Sequence, residues 1–199
     1  MCFGICQLIE RRYGMMKSVL ISIQPKWCER IANGSKTIEV RKTQPKLETP
    51  FKVYIYETKD KKFENIGVHW ANGKTFEHSI GKVIGEFMCD EILGISNRDL
   101  SENYRRLTKY IITPSCLKVQ ELKDYLGFKN GYGWHISKLV IYDKPKELGE
   151  FKKPCIRECD CGGCEYAFWT YDYGFEGCML EWGLTRPPQS WCYVESESE

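Results

Sequence analysis

Long hydrophobic runs are missing from this sequence: no apolar stretch approaches the ~18 residues that a membrane-spanning helix needs. Histidine is scarce. Only His69, His78 and His135 occur, none at ligand spacing from another, which argues against a histidine-built catalytic zinc site. Charge of one sign is missing too. The formal net charge is +2, so no overall basic footprint marks the chain as a nucleic-acid binder. There is no internal repeat. Residues 1–15 lack the order of a secretory leader, because their charges follow the apolar part and no small-residue cleavage site appears. We expect them to be a disordered extension or a misassigned start, with Met16-Lys17-Ser18 as the natural beginning. The expected location is the cytoplasm, where cysteines stay mostly reduced.

At 199 residues, 42% hydrophobic and 28% charged, the chain suffices for one globular domain with an appendage. Its charge is unevenly placed. Residues 151–199 carry four basic and nine acidic side chains, and the first 150 carry 25 and 18. A basic body suits a phosphate-bearing partner. Of eleven cysteines, Cys155, Cys159, Cys161, Cys164 and Cys178 crowd the acidic part. Cys161 and Cys164 flank Gly162-Gly163, a tight turn that would bring two thiolates to one metal. Two of Cys155, Cys159 and Cys178 would complete a structural zinc site. Free or redox-active thiols fit the same spacing, as do an iron–sulfur cluster or disulfides. No organic cofactor is expected.

The most informative stretch is Gly34-Ser35-Lys36-Thr37-Ile38-Glu39-Val40-Arg41-Lys42. A short helix over residues 25–33 precedes it, with Pro25 at the first helical position and Gly34 just past the end. Trp27, Cys28, Ile31 and Ala32 form its apolar stripe. After Gly34 the period switches to two. Ile38 and Val40 share one face of a strand, and Thr37, Glu39 and Arg41 share the other, with Lys36 at the start. The plain alternative is a solvated strand face with a cross-strand ion pair. We expect Lys36→Ala and Arg41→Ala to weaken ligand binding and leave folding intact, at a cost of ~0.5 kcal/mol or less; unfolding of either would mean that the row is held in an internal ion-pair network.

An apolar strand, a Pro-led helix and then Gly-x-Lys-Thr-x-Glu-x-Arg resembles the ASCH domain, a branch of the PUA-like β-barrels. The likeness is strongest to uncharacterised bacterial and mobile-element members. It runs from about Lys17 to Tyr142, with a compatible final strand near Trp191. The resemblance implies an α+β fold: a PUA-like mixed β-barrel with flanking helices, here joined to a cysteine-rich C-terminal segment. It also implies a cleft between barrel and helix that accepts RNA or a nucleotide-like ligand.

The rest of the chain divides accordingly. Residues 16–151 read as the barrel, 152–194 as the cysteine-rich segment and closing strand, and 195–199 as an acidic tail. Alternation predicts strands over residues 17–23, 51–57 and 81–92, the last apolar on both sides and therefore central. Residues 66–70 read as a short strand at best, and 71–79 as a turn. From Gly94 to Gly127 the spacing is helical: Leu100, Tyr104 and Leu107, then Val119, Leu122, Tyr125 and Leu126, with Gly127 as the stop. Residues 131–142 read as a further strand.

Three functions follow as expectations. In the first the cleft binds without catalysis. Lys26, Lys36, Arg41, Lys42 and loop residue Lys46 form a basic set, Arg41 forks onto phosphate, and Glu39 accepts from a base amino group. Thr37 lies in the same row, and Trp27 or Trp134 offers a stacking face; packing in the core is the alternative for either Trp. In the second the cleft hydrolyses. Small ASCH proteins that deacetylate N4-acetylcytidine use a Lys base, a Thr nucleophile three residues later, and a Glu. Lys36 matches the Lys, but Glu39 stands where the Thr belongs. Glu39 could only activate water, together with Lys36. Thr37 is two residues too early, and Asp90 or Glu91 does not align as a third carboxylate. Metal-assisted RNA hydrolysis, known in other relatives, finds no His or Asp cluster here. In the third, non-enzymatic reading the cysteine-rich acidic segment docks a protein.

Overall fold

Alternating apolar residues in Lys17–Ile23 build the first strand, β1, which is buried beyond Lys17. Its Val19, Ile21 and Ile23 face one core cluster, and Leu20 faces another on the opposite side. The computed structural model describes residues 17–64, 66–70, 75–96, 104–127, 129–154, 167–170, 174–178 and 183–196. After β1, Pro25–Ala32 forms α1. Gly34 ends it with φ +78°, a left-handed conformation that a Cβ would strain. Next come β2 (Ile38–Arg41) and β3 (Phe51–Glu57). β3 pairs with β1 in parallel, and α1 and β2 lie in the connection that a parallel pair requires.

A small hairpin follows, β4 (Gly67–His69) with β5 (Thr75–Glu77). The 66–79 region therefore holds two strands where one short strand and a turn were expected. The expected single strand over 81–92 divides in the same way. Its first part is β6 (Val83–Cys89), its second is β7 (Ile92–Ile95), and the two belong to different sheets. Gly94 accordingly lies in β7 and does not open the helical region. Helical backbone runs from Tyr104 to Ser115 as α2 (Tyr104–Leu107), a π turn (Thr108–Ile112) and α3 (Thr113–Ser115). Leu100 lies outside the described residues. Helix α4 is Val119–Leu126, capped at Gly127 with φ +63° as the spacing predicts.

The 131–142 strand also divides, into β8 (Gly131–His135) and β9 (Ser137–Lys146). Hairpin strands β10 (Ala167–Thr170) and β11 (Gly174–Cys178) pair with each other, and β12 (Trp191–Glu195) closes the described chain. Five strands order as β12-β1-β3-β6-β9, which puts β3 in the middle and the expected central strand, β6, beside it. β12 is an edge strand, antiparallel to β1, as the return near Trp191 suggests.

The second sheet has order β2-β8-β7. Among the described residues the two sheets are separate and face each other across one core, so the expected barrel appears as two sheets without shown closure. Register explains the packing. Glu39 lies opposite Trp134, which lies opposite Ile92, and Arg41 lies opposite Tyr132. This row faces inward, where Trp134, Tyr132 and Ile92 join the core against Val19, Val53 and Phe87. The outer face presents Ile38, Val40, Leu93 and Ile95 to Leu107, Ile111, Leu122 and Leu126 of the helices. No helix among the described residues is long and apolar enough to cross a membrane.

Candidate functional site

The inward row of β2 reaches a cleft of about 1100 Å³ beneath α1. Lys36, Glu39 and Arg41 line it and are only 2%, 7% and 8% exposed. The face for which a solvated surface was the plain alternative is therefore interior. Lys36 Nζ donates to the carbonyl oxygens of Ile38 and Ser115, both at 2.9 Å. It lies 3.2 Å from Glu39 Oε2, out of line for a hydrogen bond. Glu39 Oε1 lies 3.1 Å from a terminal nitrogen of Arg41, which also donates to the Ser22 carbonyl at 2.6 Å. One carboxylate thus bridges two cations, and each cation is anchored to backbone. Two polar atoms of this group are buried without a hydrogen-bond partner: Glu39 Oε2, an acceptor, and Arg41 Nε, a donor.

Trp27 forms part of the wall, half-buried, with Lys26 Nζ 4.4 Å and Lys36 Nζ 5.1 Å from its ring centroid. Tyr125 of α4 forms another part. Burial pushes its phenol up, opposed by the charge of Arg41 and a hydrogen bond from it. Pro187, Pro188, Gln189 and Ser190 supply a third part and are tied to β1. Ser22 donates from its amide to the Ser190 carbonyl and from its hydroxyl to the Pro188 carbonyl. On the buried side of α1, Cys28 is fully buried. Burial drives its thiol well up, and the nearby Glu57 and Glu39 charges add to the effect. It is packing, not a nucleophile.

The structure gathers Lys26, Trp27, Lys36, Glu39 and Arg41 around the cleft and leaves Thr37, Lys42 and Trp134 out of its lining. Thr37 is held by backbone bonds to Pro114 and Ile136. Lys42 is exposed and sits over the Tyr125 ring at 5.0 Å. Trp134 is fully buried, edge-on to Phe51 and tilted beside Trp191 with both centroids at 6.0 Å. It is core, and offers no stacking face. The lining is not basic, because Glu39, Glu121, Asp124 and Glu147 balance Lys26, Lys36, Arg41 and Lys59. Residues that the sequence did not point to include Tyr125, read there only as part of a helical stripe, and the carbonyls of Ser22 and Ser115. Backbone acceptors have no sequence signal. Cys155, Cys159, Cys161 and Cys164 lie outside the described residues, and Cys178 is placed only as the end of β11.

The family model of the ASCH domain matches residues 21–141, and this chain belongs to the ASCH domain family, within the PUA-like superfamily. Among solved structures it is similar to ASCH from Zymomonas mobilis, at 19% identity and TM-score 0.47, covering 66% of this chain and 73% of that one. Two single-substitution mutants of that protein give 19% identity each. Their TM-scores are 0.48 and 0.47, with coverage of 67% of this chain and 77% of the other, and of 66% and 74%. No curated protein matches the chain.

Proposed function

We propose that the cleft binds RNA or a nucleotide-like ligand through a polar pair on β2. The observation that carries this is the buried Arg41 Nε, a donor without a hydrogen-bond partner, on one strand face of a cleft with Glu39 Oε2, an acceptor held only by its ion pair with Lys36. A buried donor without a partner is costly, and a base edge that offers an acceptor to Arg41 and a donor to Glu39 would relieve it. Trp27 offers an aromatic face in the same wall.

Binding is favoured over hydrolysis by the surroundings of Lys36. Its ammonium meets only acceptors: two carbonyls and a carboxylate. An amine acting as base would have to turn its lone pair toward one of them. The test is incubation of wild type and Arg41→Lys with N4-acetylcytidine and a mixed RNA pool, with products followed by mass spectrometry and binding by retention on immobilised protein. Binding without turnover, weakened at least tenfold by the loss of the Arg fork, is expected. Turnover by the wild type would establish a hydrolase instead. Protein docking through the cysteine-rich segment is the outcome if neither ligand is held. A structural zinc on four of the five clustered cysteines is a separate proposal, tested by metal analysis of the purified full chain.

A further inference from the structure

A charge-balanced cleft cannot by itself neutralise the phosphates of a strand that passes through it. The helical layer carries cations of its own. Along residues 104–115, Arg105, Lys109 and Thr113 form one exposed row, and Arg106 and Tyr110 form the next. Leu107, Ile111 and Ser115 form the buried row behind them. No carboxylate among the described residues pairs with Arg105, Arg106 or Lys109. Tyr110 is 49% exposed, and Lys109 Nζ lies 4.9 Å from its ring centroid. This face contains a π turn, a local irregularity frequent at functional sites.

The same segment is fastened to the cleft at its end. The Ser115 carbonyl receives Lys36, the Pro114 carbonyl receives the Thr37 amide, and the Cys116 thiol donates to the Ser35 carbonyl. Ser115 follows Arg105 by ten positions that include the π turn, so the two are at most about 15 Å apart along the segment, the length that ten α-helical steps of 1.5 Å would give. That is within reach of a strand whose next nucleotides leave the cleft.

We propose that the face carrying Arg105, Arg106, Lys109 and Tyr110 docks single-stranded RNA whose recognised nucleotide occupies the cleft. The proposal rests on the cleft reading above. The cations meet phosphates, and Tyr110 presents a ring on which a base stacks without regard to sequence.

The experiment measures binding of cytidine monophosphate and of a labelled, mixed-sequence single-stranded RNA over a salt series. The proteins are the full-length wild type, the triple variant R105Q/R106Q/K109Q, and Tyr110→Ala. All four positions are exposed, and matching thermal midpoints confirm folding. The wild type is expected to hold RNA more tightly than the mononucleotide. In the triple variant the slope of log affinity against log salt should flatten by about 2, at about 0.7 for each phosphate no longer neutralised. Its mononucleotide binding should be unchanged. Tyr110→Ala should weaken RNA about tenfold and leave the salt slope alone. Unchanged RNA affinity in the triple variant overturns this proposal and leaves the cleft reading standing. If that variant instead loses binding to polyglutamate, the face belongs to an acidic protein. Failure of the wild type to bind either nucleotide probe overturns the cleft reading, and this proposal with it.

Discussion

The Arg41 guanidinium lies 3.1 Å from the Glu39 carboxylate, and both side chains are at most a tenth exposed. Lys36 flanks the same carboxylate from the other side, so Glu39 is the countercharge for two buried cations. Removing one partner of a buried ion pair costs about 3–5 kcal/mol, far above what a solvated strand face would lose. Glu39→Gln should therefore destabilise the protein by about 3 kcal/mol, measured by urea unfolding. A loss below about 1 kcal/mol would mean that water reaches the group in solution. The expectation that Lys36→Ala and Arg41→Ala leave folding intact is revised for the same reason, which is why the conservative Arg41→Lys serves as the binding probe.

Asp90 and His135 form a half-exposed pair, with Nδ1 2.6 Å from Oδ1. The hydrogen bond from His135 holds the Asp90 carboxyl below its usual value of 3.8. A carboxyl whose pKa is lowered by folding adds stability above its unfolded value and loses it as pH falls through the folded one. At this exposure the gain is below about 1 kcal/mol. Wild type should exceed His135→Ala in stability at pH 6, and the gap should close on acidification below about pH 3.8. A gap that persists at low pH would assign the stabilisation to packing.

Thiol reactivity should sort the described cysteines. Cys28 and Cys89 are buried, and burial pushes the Cys89 thiol to about 12. Cys116 is partly exposed. Alkylation of the native protein at neutral pH, mapped by mass spectrometry, should label Cys116 and spare Cys28 and Cys89 until urea is added. Early labelling of Cys28 would show that α1 opens readily.

Gly34 has open space around the position of an added Cβ, so its requirement is conformational alone. Gly34→Ala should cost about 1 kcal/mol in thermal or urea unfolding, and Gly34→Asn less, because Asn tolerates the left-handed region. Equal costs would indicate a steric conflict instead.

Local periodicity made the outline legible. The faces of β1 and β3, the extent of α1 and the Gly127 stop follow from alternation, helical spacing and glycine placement. The Lys36–Glu39–Arg41 row was legible as a row, but not as an interior one. Alternation says that two faces differ; only the packing of a second sheet decides that both are buried. The break at Ile136 was illegible because apolar character continues across it while the chain changes sheets; the one at Asp90-Glu91 is marked by two adjacent carboxylates, but apolar residues resume at once with Ile92. Trp134 misled for a related reason: an indole beside a charged row looks like a platform until Phe51 and Trp191 cover it.

The pairing of Lys152 with Gly183 has a consequence for any dissection of this protein. This bridge joins the chain on either side of the cysteine-bearing residues, and Trp191–Glu195 then supplies a sheet edge while Pro187–Ser190 walls the cleft. The region beyond Phe151 is thus not a removable tail, because Trp191–Glu195 belongs to the sheet and Pro187–Ser190 to the cleft wall. Truncation there would strip β1 of its antiparallel partner and open the cleft, confusing loss of fold with loss of a docking surface. Excising residues 154–181 and bridging the gap with a short glycine linker would keep both Trp191–Glu195 and the Pro187–Ser190 wall in the chain, so that the cysteine-rich part is tested apart from them.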